Sequence, residues 1–164
     1  MQAEDVSWGW TRTGDNGIHS PRKTMDESTL RQVQELFGEI IPFNKFLGMT
    51  LESLGEGRSR LRLPFRPELI GDPMRPALHG GVISALMDTA GGAALWSRLS
   101  LEDRVSTVDL RVDYLRPGKA ETLLADAHIR RLGNRMGVVS IRAFHPSDEG
   151  ESIAEAMAVY NIRR

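Results

Sequence analysis

From Asp26 onward the apolar positions recur every three or four residues, at Leu30, Val33, Phe37 and Ile40, with Gln, Glu and Arg between them. That is the period of a helix with one covered face. Ile41 to Gly48, which contains Pro42, is expected as a connection. Met49 to Leu54 and Ser59 to Phe65 then predict two strands around the turn-prone Gly55-Glu56-Gly57. Arg66 to Leu78 holds Pro67, Gly71, Pro73 and Pro76 and is expected as a loop, since proline fixes the backbone and removes a donor. From His79 to about Leu99 the chain is small and apolar without proline, and only Asp88 and Arg98 carry a formal charge. A helix of that length, apolar on too many sides for one covered face, belongs inside a curved sheet or between a sheet and a partner subunit.

Beyond Val105 the period becomes two. Val108, Leu110, Val112 and Tyr114 alternate with Asp109, Arg111 and Asp113, which predicts a half-buried strand ended by Pro117-Gly118. Thr122 to Arg131, Met136 to Phe144 and Ser152 to Ile162 are three further strands, joined by Gly133-Asn134 and by Pro146 to Gly150. Such short links suit antiparallel neighbours. The order helix, two strands, long helix, four strands argues for an α+β fold with one largely antiparallel sheet.

At 164 residues the chain has room for one core. The expected division is a polar leader over residues 1–25 and a single domain over 26–164. The leader lacks the apolar stretch of a signal peptide; its Trp8 and Trp10 either dock on the domain or a partner, or sit in a mobile tail. No apolar run is long enough for a membrane span, so no membrane partner is expected. With 21 basic and 22 acidic side chains there is no field to hold a polyanion, which argues against nucleic-acid binding. Cysteine is absent, which excludes disulfides, a thiolate nucleophile and thiolate-ligated metals, and fits a cytoplasmic location.

Candidate chemistry gathers around the long helix. Its first turn, His79-Gly80-Gly81, has backbone N–H groups without intrahelical partners at the positive end of the helix dipole, a place for a developing oxyanion. The alternative is that the glycines merely permit tight packing at a turn. Asp88 is a carboxylate in an apolar run, costly to bury unless something pairs or uses it. Burial would raise its pKa and suit it as a general base or nucleophile. Helical spacing sets Ser84, Asp88, Gly91 and Gly92 on one side, small enough to admit a ligand. The plainer reading of Asp88 is a polar residue satisfied by backbone or by a basic side chain. There is no Gly-x-Ser-x-Gly around Ser84, and His19, His79, His128 and His145 lack metal-ligand spacing, so no metal is expected. Arg111, Arg116 and Lys119, then Arg130, Arg131 and Arg135, are either phosphate-binding clusters or solvated strand edges.

The block from Pro76 through His79-Gly80-Gly81 and Asp88 to Ala93, followed by Thr107-Val108-Asp109-Leu110-Arg111-Val112-Asp113-Tyr114-Leu115-Arg116-Pro117-Gly118, resembles the PaaI-type acyl-CoA thioesterases of the hotdog superfamily. The resemblance spans roughly Asn44 to Ile162. It implies a hotdog fold, an antiparallel sheet of five to six strands wrapped around the long helix, with the N-terminal helix as an addition. It further implies a homodimer, often a homotetramer, acting on an acyl-CoA substrate with no cofactor of its own. In the implied mechanism Asp88 is base or nucleophile, Thr107 helps position a water, Gly80 gives the oxyanion N–H from the other subunit, and His79 supports the turn. Gly81, Arg75, Arg116, Lys119, Arg131 and Arg135 are the implied contacts to substrate and coenzyme A. One departure stands out: where many relatives carry asparagine, six residues before the histidine, this chain has Pro73, so Arg75 or a backbone group must substitute or the rate and preference differ. Two other functions compete, a non-catalytic acyl-CoA-binding protein and a hotdog enoyl-CoA hydratase using His79 and Asp88.

Overall fold

The computed structural model describes residues 27–100 and 102–164; the proposed leader, with Trp8 and Trp10, lies outside them. Helix α1 (Glu27–Glu35) runs into a widened π-turn over Leu36–Ile40 and buries Val33 and Phe37. The expected connection after it is instead a short helix, α2 (Pro42–Leu47). Pro42 starts this helix, where the missing N–H has no intrahelical acceptor to lose, and Gly48 ends it in the left-handed conformation, φ 74°.

Strands β1 (Thr50–Gly55) and β2 (Arg58–Leu63) form the predicted hairpin. The proline-rich segment is more ordered than expected. It holds a 3-10 turn (Pro67–Leu69) and a two-stranded ribbon, β3 (Ile70–Asp72) with β4 (Ala77–Leu78). Helix α3 (Gly80–Trp96) follows, and then β5 (Arg104–Tyr114), β6 (Leu123–Leu132), β7 (Met136–His145) and β8 (Asp148–Arg163).

Six strands pair antiparallel in the order β1-β2-β6-β7-β8-β5 and curl around α3. Alternation supplies the inner face: Leu61 and Leu63 from β2, Leu123 and Ala125 from β6, Val139 and Ile141 from β7, Ala156 and Ala158 from β8. These close on Ile83, Leu86, Met87, Ala90, Ala93, Ala94 and Leu95, so the helix is apolar all round because it is buried on most sides. On the outer face Arg60 and Asp126 tie β2 to β6 through a two-pronged ion pair at 2.6 and 2.9 Å.

One strand departs from its sequence pattern. The β5–β8 register slips between Thr107, opposite Tyr160, and Asp109, opposite Val159, leaving Val108 in a bulge. Inward parity therefore switches: Val105 and Thr107 face the helix before the bulge, Leu110 and Val112 after it. Val108, expected on the covered face, is 59% exposed, because the extra residue re-aims the strand. β1 and β5 are the edges of the sheet.

Candidate active site

The N-terminus of α3 is built from the residues the sequence singled out. His79 is the N-cap in extended conformation, and its Nδ1 accepts the Gly81 N–H at 2.9 Å. That bond satisfies one of the unpartnered first-turn donors and takes Gly81 out of the set free to bind a ligand. The Gly80 N–H has no partner among the described residues. Tyr114, at the end of β5, donates its hydroxyl to the Gly80 carbonyl at 2.9 Å, and a Cβ on Gly80 would meet the Tyr114 ring at 3.4 Å. Beside this turn opens a cleft of about 440 Å³ lined by Ala77, Leu78, Gly80, Ile83, Tyr114 and the Leu115–Gly118 loop.

The loop that forms the cleft wall is clamped by a residue the sequence offered only as a histidine without metal spacing. Buried His145 accepts the Lys119 N–H on Nε2 at 2.8 Å and lies 2.8 Å from the Thr122 carbonyl through Nδ1. Arg116, in the same wall, donates to the Ser152 carbonyl at 2.6 Å and sits 3.5 Å from Glu151. Lys119 is exposed, 3.9 Å from Glu121.

Two turns further along α3, Asp88 is half-buried. Its Oδ1 accepts the Thr107 hydroxyl at 2.9 Å, a contact the β5 bulge makes possible. A second partner comes from β8: the Tyr160 hydroxyl is 2.8 Å from the Asp88 main-chain oxygen and 3.2 Å from Oδ1. Burial first, and then the charge and hydrogen bond of Asp88, push the Tyr160 phenol well above its ordinary range, so it stays protonated and donates. Sequence reasoning missed Tyr160. It also assigned Gly91 to a ligand-admitting side, and this is corrected: a Cβ on Gly91 would lie 2.1 Å from the Tyr160 hydroxyl, so the space belongs to that ring.

The remaining candidates do not converge within one chain. Arg75 is exposed in the β3–β4 turn, where Asp72 accepts both its N–H and its Nε at 3.2 Å, and it is not among the cleft-lining residues. Those contacts, led by the Arg75 backbone N–H, hold the Asp72 carboxyl below its usual range. Pro73 occupies the same exposed turn. Arg131 is exposed near the far end of β6 and Arg135 in the turn beyond it, and β6 spans about 25 Å between Leu123, on the side of Lys119, and Arg131 at the rise of an extended chain. No group of three or more His, Asp or Glu placed to hold a metal occurs among the described residues. Nor is any described helix long and apolar enough to cross a membrane.

The thioesterase superfamily family model matches residues 76–151, the stretch holding both the helix turn and Asp88. The medium/long-chain acyl-CoA thioesterase YigI of Escherichia coli K12 is 34% identical over 149 residues, covering 83% of this chain and 95% of that one. This chain belongs to the thioesterase superfamily. A thioesterase family protein from Silicibacter pomeroyi superposes with a TM-score of 0.74 at 27% identity, over 81% of this chain and 96% of that one. A variant of the phenylacetic acid degradation protein PaaI from Thermus thermophilus does so with a TM-score of 0.64 at 25% identity, over 73% of this chain and 97% of that one. This thioesterase is of the PaaI type, and its six strands around α3 are the hotdog fold.

Proposed function

We propose that the chain hydrolyses an acyl-CoA thioester to the free acid and coenzyme A, in a site shared between two copies. The observation that carries this reading is Asp88, an acid in an apolar helix oriented by Thr107 and facing the β5 edge. As general base Asp88 takes a proton from water while the water oxygen adds to the thioester carbonyl, and the tetrahedral adduct then collapses with cleavage of the C–S bond, the coenzyme A thiolate leaving and taking up the proton. As nucleophile Asp88 adds directly, the C–S bond breaks to release the thiolate, and water then cleaves the acyl-aspartyl anhydride to the free acid and the regenerated carboxylate. Thr107 has its proton committed to Asp88, so it offers a water only its lone pairs.

Spacing supports the shared site. Gly80 and Asp88 of one helix are eight residues, about 12 Å, apart along its axis. An oxyanion donor and a base acting on the same carbonyl must both lie within about 3–3.5 Å of the reacting atoms. That rise holds the two apart within one chain, whereas a two-fold partner with its helix reversed sets its own Gly80 level with Asp88. The β5 edge suits such pairing: it is eleven residues long and exposes Val108 and Tyr114, an edge prone to be covered. In this arrangement the Gly80 N–H holds the oxyanion and His79 holds the turn. Arg116 from the cleft wall and exposed Lys119 just beyond it meet the phosphates of coenzyme A, while Arg131, Arg135 and exposed Arg75 reach them only from another subunit. The likeness to YigI supports medium or long acyl chains.

The test is free-thiol release from acetyl-, phenylacetyl-, octanoyl- and palmitoyl-CoA by wild type and Asp88→Asn. Wild-type turnover that falls by about 10²- to 10⁴-fold in the variant is the expected result. Equal turnover in both overturns the role of Asp88. Tight binding without turnover in either assigns the protein to acyl-CoA binding instead.

A further inference from the structure

We propose that Tyr160 is a positioning residue for Asp88, and that together with Thr107 it commits Oδ1 to structure and leaves Oδ2 as the oxygen that reacts. The inference rests on the reading of Asp88 as the reacting carboxylate. Tyr160 is 1% exposed on β8, directly opposite Thr107 across the β5–β8 pair. Its single hydroxyl proton is shared between the Asp88 main-chain oxygen at 2.8 Å and Oδ1 at 3.2 Å. Thr107 gives Oδ1 a donor at 2.9 Å. A carboxylate oxygen has two lone-pair directions; Thr107 takes one of those of Oδ1 and the shared Tyr160 proton, nearer the main-chain oxygen, faces the other. Oδ2 accepts from no described residue. A hydroxyl that bridges the backbone and the side chain of the same aspartate also restrains its χ1 rotation.

The helix is shaped around this contact. Gly91 leaves the gap through which the phenol reaches the Asp88 turn. A phenol with its pKa raised by burial and by a neighbouring carboxylate is a fixed donor over the working pH range and takes no proton itself.

The experiment measures kcat, KM and melting temperature for Tyr160→Phe, Thr107→Val, the double variant and Asp88→Asn on the best acyl-CoA of the panel above. Tyr160→Phe is expected to lower kcat by about 10- to 100-fold, the worth of a hydrogen bond to a charged group, with KM within about twofold. The double variant is expected to lose less than the product of the two single losses, because both residues hold one oxygen. Unchanged kcat in Tyr160→Phe while Asp88→Asn is inactive overturns the proposal alone; full activity in Asp88→Asn overturns the underlying reading. A kcat loss matched by lost folded protein, with no change per folded molecule, also overturns it. Should Tyr160→Phe not fold, site-specific 3,5-difluorotyrosine in place of Tyr160 keeps ring and hydroxyl while altering donor strength. A change in kcat of about twofold or more at constant KM is then expected, and constant kcat overturns the proposal.

Discussion

The Tyr160 hydroxyl occupies the position that a side chain on Gly91 would fill: a Cβ there would come within 2.1 Å of the phenol oxygen and 2.9 Å of the ring carbon bearing it. Helix and strand are thereby fitted to one another one turn beyond Asp88. The absent side chain on α3 and the aromatic ring on β8 form one packing unit, with the candidate catalytic carboxylate at its end.

Gly91→Ala tests that fit against helix propensity. Alanine in an exposed helix interior would stabilise by about 1 kcal/mol. Here the ring is buried and cannot swing away, so overpacking wins and the variant is expected to lose about 1–3 kcal/mol in urea denaturation. Tyr160→Phe in the same chain removes the 2.1 Å contact but leaves the ring carbon. It is therefore expected to recover part of the loss, and full additivity of the two changes would show that they do not share this gap.

His79 acts on stability through its ring nitrogen. Nδ1 accepts the Gly81 N–H, so His79→Ala is expected to cost about 1 kcal/mol, the usual worth of an N-cap. His79→Asn supplies another good N-cap acceptor and is expected to restore the melting temperature. If alanine and asparagine melt alike, the cap contributes nothing measurable.

His128 gives the fold a pH dependence with a definite sign. Burial first, then the positive charges of Arg58 and Arg130, holds its pKa below the ordinary 6.5. Above 6.5 neither state binds the proton and stability is complete. As pH falls below 6.5 the unfolded chain takes up a proton that the native site resists, so stability is lost until the native ring titrates as well. The drop in urea midpoint between about pH 7.5 and about pH 5.5 is expected to be smaller in His128→Gln than in wild type. An equal drop in both would place the dependence elsewhere.

What can be read from the sequence is local. The period of two over β5 to β8, the length of α3, its glycine turn and the lone acid in it are all patterns within one element, and they carry the fold class, Asp88 and the His79-Gly80 turn, while Thr107 enters only through the family resemblance and Tyr114 reads as an ordinary strand position. Pro42 marks a helix start as well as a break, and the pattern around it does not tell the two apart. The bulge leaves the even-numbered apolar positions of β5 unbroken in sequence, so alternation alone puts Val108 on the covered face. Tyr160 follows Ala156 and Ala158 at strand spacing and reads as core filler, while its partner lies 72 residues away. The one local hint is the pair Gly91-Gly92 in an otherwise apolar helix, which signals a close approach without saying by what. Arg131 and Arg135 are near Lys119 in number but a strand's length away in space.

If the site is shared, two inactive variants must rescue each other. Asp88→Asn removes the carboxylate, and Gly80→Val fills the approach to the proposed oxyanion N–H beside Tyr114. With Gly80 and Asp88 of one α3 serving different sites, a mixed dimer contains one site with both defects and one with neither. Each variant alone is expected to be nearly inactive. After unfolding and refolding together in equal amounts, half the dimers are mixed and about a quarter of wild-type activity is expected. A site confined to one chain predicts no recovery, since every chain in the mixture carries a defect. The same outcome would follow if the chains did not exchange, so a tag on one variant and its co-purification with the other must accompany the rate. Val108→Asp on the β5 edge provides the converse, loss of both the dimer in sedimentation and the activity, with Asp88, Thr107 and Gly80 all retained.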